Sequence, residues 1–425
     1  MRYTDISQII TLVIFIFSYI LIFSGKIERT SAALIGLFTM LAAGYALHFM
    51  SFEHILIHVD WEVIILLFGM MTYVGLMSKT GFFKYVGIKA VKLAKGKPWL
   101  IFVYLSLFTA FISMAIDNVT TILLIIPITI EVAQILEINP IPILLSEALL
   151  SNIGGAGTLV GDPPNIMIGL ATGFTFNDFI IHLFPPILAS ILVSFIISKI
   201  YYNKWSKQSA KNLDKLMSLN PKDYIKDERL MKYYLYLLAG IIFFLIIGGI
   251  YRIPAAFIAL AGGTLALLIS MEDPKKAFES VEWSTLVFFI ALYSLVGGLY
   301  ETGLLNDLAY WLVSLSDNIV ILAIIILWTG GILSAIVDNI PITAALIPVV
   351  FAMSQTPHGD LLWWALAMGV GLGGNITPIG SSAGVIMMSL SKRYGQEIYN
   401  KQWLKYGGII GILTLGVCTL FLLIM

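Results

Sequence analysis

Two short stretches place carboxylate and amide groups where they are expensive to keep. Ala115-Ile116-Asp117-Asn118-Val119-Thr120 lies inside an apolar run, with Pro127 downstream; Ile336-Val337-Asp338-Asn339-Ile340-Pro341 lies inside another, with Pro348 at nearly the same spacing. A carboxylate at the centre of a bilayer costs about 3 kcal/mol or more, so by default it marks a functional site. Two of them in corresponding positions of two halves point to a transporter built from an internal repeat, with its site at the repeat interface. Carboxylate and amide oxygens suit a cation, and Thr120, Thr121 and Thr343 add hydroxyls. A buried carboxyl can trade a proton for a cation, since desolvation favours its neutral form and a nearby cation its charged form. The plainer reading is that Asp or Asn caps the helix that follows. Symmetric duplication favours ion handling, and the two roles are compatible.

A second pair of motifs could line the same site. The first is Ser151-Asn152-Ile153-Gly154-Gly155-Ala156-Gly157-Thr158-Leu159-Val160-Gly161-Asp162-Pro163-Pro164-Asn165, and the second runs Gly371-Leu372-Gly373-Gly374-Asn375-Ile376-Thr377-Pro378-Ile379-Gly380-Ser381-Ser382. Dense Gly and tandem Pro cannot continue a helix. Both read as unwound breaks in crossing helices, although small residues also serve close helix packing. At a hairpin tip, where Asp117-Asn118 and Asp338-Asn339 are expected, the ending helix offers carbonyls to cations, and the beginning helix offers N–H groups and a positive dipole end to anions. Glu147 lies in an apolar segment opposite Leu366 of the other half. It is either a candidate proton carrier or a structural group paired with a hydroxyl such as Ser146. A hydrolytic dyad of Asp117 and Asp162 is disfavoured, because duplication at Asp338 makes two matched half-sites rather than one acid pair.

These residues need apolar helices to hold them. The chain has 425 residues, 59% hydrophobic and 12% charged, against about 25% charged in soluble proteins. Its mean hydropathy is +0.93, and several runs reach the roughly 20 residues of a membrane span. It reads as a multi-pass protein of the cell membrane, in contact with lipid; zero net charge gives no sign of a nucleic-acid partner. The run near 9–24 reads as a retained helix rather than a cleaved leader, with only Arg2 before it. Cys418 is the one cysteine, which excludes an intramolecular disulfide and a thiolate metal site. His48, His54, His58, His182 and His358 lack metal-ligand spacing, so no resident metal or cofactor is expected, only a transported ion such as sodium. Trp363-Trp364 and Tyr201-Tyr202 read as interface anchors, and Glu131 and Gln134 as the cytoplasmic mouth of a hairpin.

Apolar segments repeat in one order: three simple runs, one long run centred on Asp-Asn, one long Gly-rich run, one simple run. Trp61 aligns with Trp283, Gly75 with Gly297, Thr80-Gly81 with Thr302-Gly303, Gly154-Gly155 with Gly373-Gly374, Thr158 with Thr377 and Gly161 with Gly380; the offset falls only from 222 to 219. The segment 79–98 carries Lys79, Lys84, Lys89, Lys92, Lys95 and Lys97, whereas its counterpart carries Glu301, Asp307 and Asp317. By the positive-inside rule the first is cytoplasmic and the second external, so the halves are inverted. The basic linker and Lys392-Arg393 then also fall inside. The expected fold is all-α and polytopic: two inverted repeats, each with a re-entrant hairpin and a broken helix, about ten crossings, both termini outside. The expected domains are 1–202, a solvated cytoplasmic linker 203–232, and 233–425. Two full spans in each Asp-Asn run would keep the same parity.

The signature at 152–165, with Asp338-Asn339-Ile340-Pro341 and Gly380-Ser381-Ser382-Ala383-Gly384, resembles the ion transporter superfamily, in its ArsB/NhaD/P-protein branch, also termed CitM/arsenite permease-like. The resemblance spans nearly the whole chain. It implies paired hairpins, broken helices, an elevator-like movement and a tendency to form homodimers. In the related sodium–dicarboxylate symporters the tips carry Ser-Asn-Thr. Here Asp replaces Ser twice, and Val119 or Ile340 replaces Thr, which argues against dicarboxylates. The expectation is a secondary active ion transporter rather than an enzyme, of the cation/proton antiport type. Arsenite or other anion efflux, or an anion channel, are the alternatives. The expected site comprises Asp117, Asn118, Thr120, Gly154, Gly155, Thr158, Asp162, Asn165, Asp338, Asn339, Thr343, Gly374, Asn375, Thr377 and Ser381, with Glu147 as candidate proton carrier.

Overall fold

The computed structural model describes residues 5–24, 27–208, 210–305, 318–355 and 358–425, all of them helical or in connections. Asp307, Asp317 and Arg2, used above for orientation and the first run, lie outside the described residues. The helices of the first half are α1 (Asp5–Ser24), α2 (Arg29–Leu47), α3 (Phe52–His58), α4 (Trp61–Lys79), α5 (Phe82–Leu93), α6 (Pro98–Ser113), α7 (Asn118–Leu136), α8 (Ile141–Gly155), α9 (Pro163–Thr172) and α10 (Phe176–Tyr201). Two short helices, α11 (Asn203–Ser206) and α12 (Leu213–Ser218), lie in the linker. The second half has α13 (Glu228–Tyr251), α14 (Ala255–Ser270), α15 (Pro274–Phe278), α16 (Trp283–Glu301), α17 (Ile319–Ile336), α18 (Asn339–Met353), α19 (Asp360–Gly373), α20 (Ser382–Arg393) and α21 (Asn400–Leu422). Among the described residues eight helices are long and apolar enough to cross a membrane, and α6, α8, α14, α18 and α19 are shorter apolar helices.

The order of helices matches between halves, and local details follow. The Trp61 indole donates to the Leu56 carbonyl and the Trp283 indole to the Phe278 carbonyl. Gly81 and Gly303 both adopt left-handed φ, at 85° and 77°. Contacts between halves are reciprocal: α2 packs on α16 and α14 on α4, while α7 packs on α20 and α18 on α9. Ser280 abuts Gly75, and His58 abuts Gly297; both pairs reflect one offset of 222. Such exchange, in which position i touches j and j touches i, is the pattern of a two-fold axis. The halves therefore interlock about a pseudo-two-fold axis. Helices α1–α4 with α13–α16 form one bundle, and α6–α10 with α17–α21 form the other.

In the second bundle α6 lies along α8 and α17 along α19. Small residues set the separation. A Cβ on Gly154 would stand 2.3 Å from the Ala110 carbonyl oxygen, and one on Gly373 would stand 2.2 Å from that of Gly331. No side chain fits there, so the hairpins approach backbone to backbone.

The linker is more than a solvated connector. Leu216 is fully buried and Trp205 nearly so, in a cluster with Ile88, Phe102 and Val132. The Lys226 amide donates to the Thr80 carbonyl, and Lys211 bonds Glu137. Its apolar residues, hidden among charges in the sequence, dock on α5–α7. Trp363 and Trp364 are also buried, at 3% exposure each, and Trp364 stacks on Phe174 and His182. They are packing residues rather than interface anchors, while Tyr201 is 42% exposed.

Candidate functional site at the paired breaks

The hairpin turns are built alike. Helix α6 ends at Ser113, and α7 starts at Asn118 with Asp117 as its N-cap, accepting from the Thr120 amide at 2.9 Å. Helix α17 ends at Ile336, and α18 starts at Asn339 with Asp338 as its N-cap, accepting from the Ile340 amide at 3.2 Å. The capping role thus holds in both copies. It satisfies amides that a helix start would otherwise leave bare. It consumes one carboxylate oxygen in each case and leaves the second for other partners.

The crossing helices break where Gly and Pro predict. Helix α8 ends at Gly155 and α9 begins at Pro163, while α19 ends at Gly373 and α20 begins at Ser382. Each break is tied to the neighbouring hairpin turn by matched bonds. Thr158 donates to the Met114 carbonyl and Thr377 to that of Ala335; Ser113 donates to the Ser151 carbonyl and Ser334 to that of Val370. Gly155 approaches the Gly161 carbonyl and Gly374 that of Gly380. Asn165 closes the first loop, its amide donating to the Ala156 and Thr158 carbonyls. This accounts for Thr158, Thr377, Asn165 and the four glycines as frame residues of the break.

The side chains at the centre join the halves. Asn118 donates to the Asn152 oxygen at 2.9 Å and to Asp162 at 3.3 Å; Asn339 donates to Asp162 at 3.3 and 3.2 Å. Asn152 in turn donates to the Asn375 oxygen and to Ser381 Oγ, both at 2.8 Å. Asn375 reaches the Leu149 carbonyl, and Trp403 donates to the Asn375 carbonyl. Asn118, Asn152, Asp162, Asn339, Asn375 and Ser381 are all 3% exposed or less. Both Asp-Asn motifs therefore meet, through their asparagines, on one buried carboxylate, Asp162, beside the breaks.

Among the described residues one cation serves this acidic centre. Arg29, at the start of α2, lies 3.6 Å from Asp338 and donates to Ser382 Oγ, while Ser382 donates to Asp338. Neither Arg29 nor Ser382 stands out in the sequence motifs as a site residue. The available signal is that Arg29 is the last charged residue before an apolar run. Asn152 was visible only as part of the Gly-rich motif. Two expected residues lie differently. Thr343 donates to the Asn339 carbonyl of its own helix, and Glu147 receives a 2.5 Å bond from Thr129, not from Ser146, which pairs with Ser106. The Thr129 partner comes from α7, folded against α8, and so could not be read from neighbouring sequence. Glu147 Oε2 is buried without a partner, and Glu147 is not joined to the central network by any direct bond. Among the described residues no group of three or more His, Cys, Asp or Glu has a metal-holding arrangement.

Comparisons with known proteins agree with this architecture. Residues 19–369 match the family model described as citrate transporter. An uncharacterised transporter of Mycobacterium tuberculosis (strain H37Rv) is 35% identical over 421 residues, covering 98% of both chains. The P protein of Mus musculus is 30% identical over 490 residues, covering 95% of this chain and 59% of the relative. The solved structure of the YdaH transporter of Alcanivorax borkumensis, reported to show an unusual topology, superposes with a TM-score of 0.59 at 15% identity, covering 98% and 97% of the two chains.

Proposed function

We propose that this protein, which belongs to the citrate transporter family and is a multi-pass membrane transporter, is a secondary active carrier whose site is the network at the two breaks. In this reading Asp117, Asp162 and Asp338, with Asn118, Asn339, Asn152, Asn375 and Ser381, bind the transported ion. The cargo is a cation exchanged for protons, with sodium the leading candidate. The carrying observation is a charge imbalance. Asp162 lies in the network, Asp338 and Asp117 cap the two tips beside it, and among the described residues one guanidinium, Arg29, lies against them. In a region of low dielectric an excess of carboxylates attracts cations or protons and repels a free polycarboxylate.

The hairpins would enter from opposite faces, and the bundle of α6–α10 with α17–α21 would move against the other bundle in an elevator-like step. Supporting this, the contacts at the C-terminal ends of α4 and α16 carry opposite chemistry. Lys79 pairs with Glu272 at 2.9 Å, whereas Glu301 faces His58 at 2.8 Å and His54 at 3.8 Å. This fits a basic cytoplasmic end and an acidic external end.

A second reading follows from the family description and from Arg29: a carboxylate substrate could rest between the guanidinium, the Ser382 hydroxyl and the start of α20. Proteoliposomes separate the two. Under the first reading, an imposed sodium gradient drives proton movement without citrate, and Asp117→Asn with Asp338→Asn abolishes it. If flux requires citrate, and sodium alone moves no protons, the carboxylate reading replaces it. Currents that follow the electrochemical gradient without fixed stoichiometry would indicate a channel.

A further inference from the structure

The pseudo-two-fold axis that relates the halves is broken where the two bundles meet. In the first half, scaffold helix α4 packs on α9; in the second, its counterpart α16 packs on α18. Helix α9 corresponds to α20 and α18 to α7, so these contacts are not equivalent. Both α9 and α18 run from the central network towards the end marked as external, while α7 and α20 run towards the linker and Lys392-Arg393. The scaffold therefore grips the external half of the moving bundle, which sits displaced towards the cytoplasm.

The arginines break symmetry in the same sense. Helices α2 and α14 both end in a left-handed cap, His48 at φ 60° and Met271 at φ 50°. These caps fix the local offset at 223, which pairs Arg29 with Arg252. Arg29, at the cytoplasmic end of the scaffold, holds Asp338 and Ser382. Tyr19, on scaffold helix α1, also donates to the Pro341 carbonyl at 2.8 Å. The Arg252 backbone N–H caps α13 on the Gly248 carbonyl, while its guanidinium, at the external end, has no hydrogen bond or ion pair among the described residues. It lines a cavity of about 610 Å³ together with Glu62, Leu159, Ile166, Thr175 and Pro254.

We propose that Arg29 and Arg252 are alternating positioning residues for transport: Arg29 holds the Asp338 tip in the cytoplasm-facing state, and Arg252 holds the Asp117 tip in the externally facing state. Applying the molecule's own two-fold operation to the observed contacts yields that second state. There α4 meets α7, α16 meets α20, Arg29 is released, and the cavity beside Arg252 closes as the first break rises to it. Glu282, close enough to interact with both Asp117 and Arg29 here, hands its place to its counterpart Asp60. Each tip is thus neutralised on one side only. A ligand-free bundle would cross the midplane with its acids unpaired, which penalises empty transit unless protons or cations replace the guanidinium.

The inference rests on the carrier reading, and its test separates the two. A reporter cysteine at Val385, which is 47% exposed one turn beyond Ser382, is placed in a Cys418→Ala background in oriented vesicles. Labelling by an impermeant maleimide from the cytoplasmic side reports the observed state. Arg29→Gln should lower the labelling rate and Arg252→Gln should raise it, each by roughly fivefold or more, with Arg29→Lys and Arg252→Lys restoring most of the difference. Opposite signs cannot come from misfolding, which would move both the same way. Changes of equal sign, or none in either variant while the reporter still responds to sodium or pH in the parent, overturn the arginine pair alone. A parent reporter that responds to no imposed sodium, proton or citrate gradient overturns the carrier reading beneath it.

Discussion

The two broken helices share a frame and differ in what fills it. Matched Ser, Thr and Gly contacts tie each break to its hairpin turn. The central positions diverge. The first half supplies Asn152, Asp162 and Asn165 where the second has Gly371, Ser381 and Gly384. Near the axis, Asn152 bonds Asn375 on one side, while their counterparts Gly371 and Ala156 merely touch on the other. The lesson is that duplication preserved the architecture and released the chemistry. A single carboxylate, Asp162, collects amides from both halves because its counterpart no longer competes for the space.

The frame is the most sensitive part of this comparison. Gly154→Val and Gly373→Val each drive a side chain into a facing carbonyl, and each should cost about 3 kcal/mol, seen as a loss of folded protein or a large fall in detergent melting temperature. Gly240, which has open space around its Cβ position, is the control; its change to Val should stay within about 0.5 kcal/mol. Equal tolerance at all three positions would break the claim that the two hairpins are held backbone to backbone.

The filling should separate function from stability. Asp162→Ala removes the acceptor of Asn339 and one acceptor of Asn118, a stability loss of about 1–3 kcal/mol. Transport should fall by on the order of a hundredfold, since about 2.7 kcal/mol of ion stabilisation goes with it. Ser381→Ala removes the N-cap of α20, whose hydroxyl accepts from the Gly384 amide, for about 1 kcal/mol. Because Ser381 belongs to the proposed site but contributes a neutral hydroxyl and not a charge, flux should fall by about tenfold, less than for Asp162→Ala. Equal flux losses from the two changes would mean that the halves contribute alike.

Glu147 sharpens the contrast once more, because Leu366 stands in its place in the other half. Its unpartnered oxygen is a stability cost. Glu147→Leu should therefore be neutral or stabilising by up to about 1 kcal/mol, while proton-coupled flux drops. A stabilised variant with full flux would make Glu147 a remnant rather than a proton carrier.

Much of this was legible in the sequence for one reason: a duplicated chain checks itself. Trp61 and Trp283 announce matched scaffold helices, and paired Gly and Pro announce the breaks, because they cannot do anything else in a helix. Asp117 and Asp338 stand out by cost. Arg29 did not, since a base near the end of an apolar run is common and its partner lies 309 residues away. The burial of Trp363 and Trp364 was hidden because an aromatic pair near a segment end looks the same whether it meets lipid headgroups or Phe174 and His182. The linker's docking was hidden because a few apolar residues among many charges carry no periodic signal.

That linker is where the smallest effect is expected, and where pH enters. Glu137, the left-handed cap of α7, accepts bonds from Lys211 Nζ and the Asn212 amide, both at 3.1 Å. The Lys211 bond, then the Asn212 bond and the lysine charge, hold its carboxyl below the ordinary value of 4.5. A lowered carboxylate favours the docked linker above its undocked value and loses that preference as pH falls through the docked one. Docking should therefore loosen as pH falls below the ordinary carboxylate value of 4.5, and be indifferent to pH above it up to neutrality. Cleavage at Lys207 and Lys215 by an acid-tolerant lysine-specific protease in inside-out vesicles reads it. Lys211→Ala should speed cleavage modestly at neutral pH and flatten the acid dependence, because an exposed pair carries little energy. No change in either would mean that the buried Leu216 and Trp205 alone hold the linker down. The contrast between a symmetric frame and an added, asymmetric connector would then rest on apolar packing and owe nothing to charge.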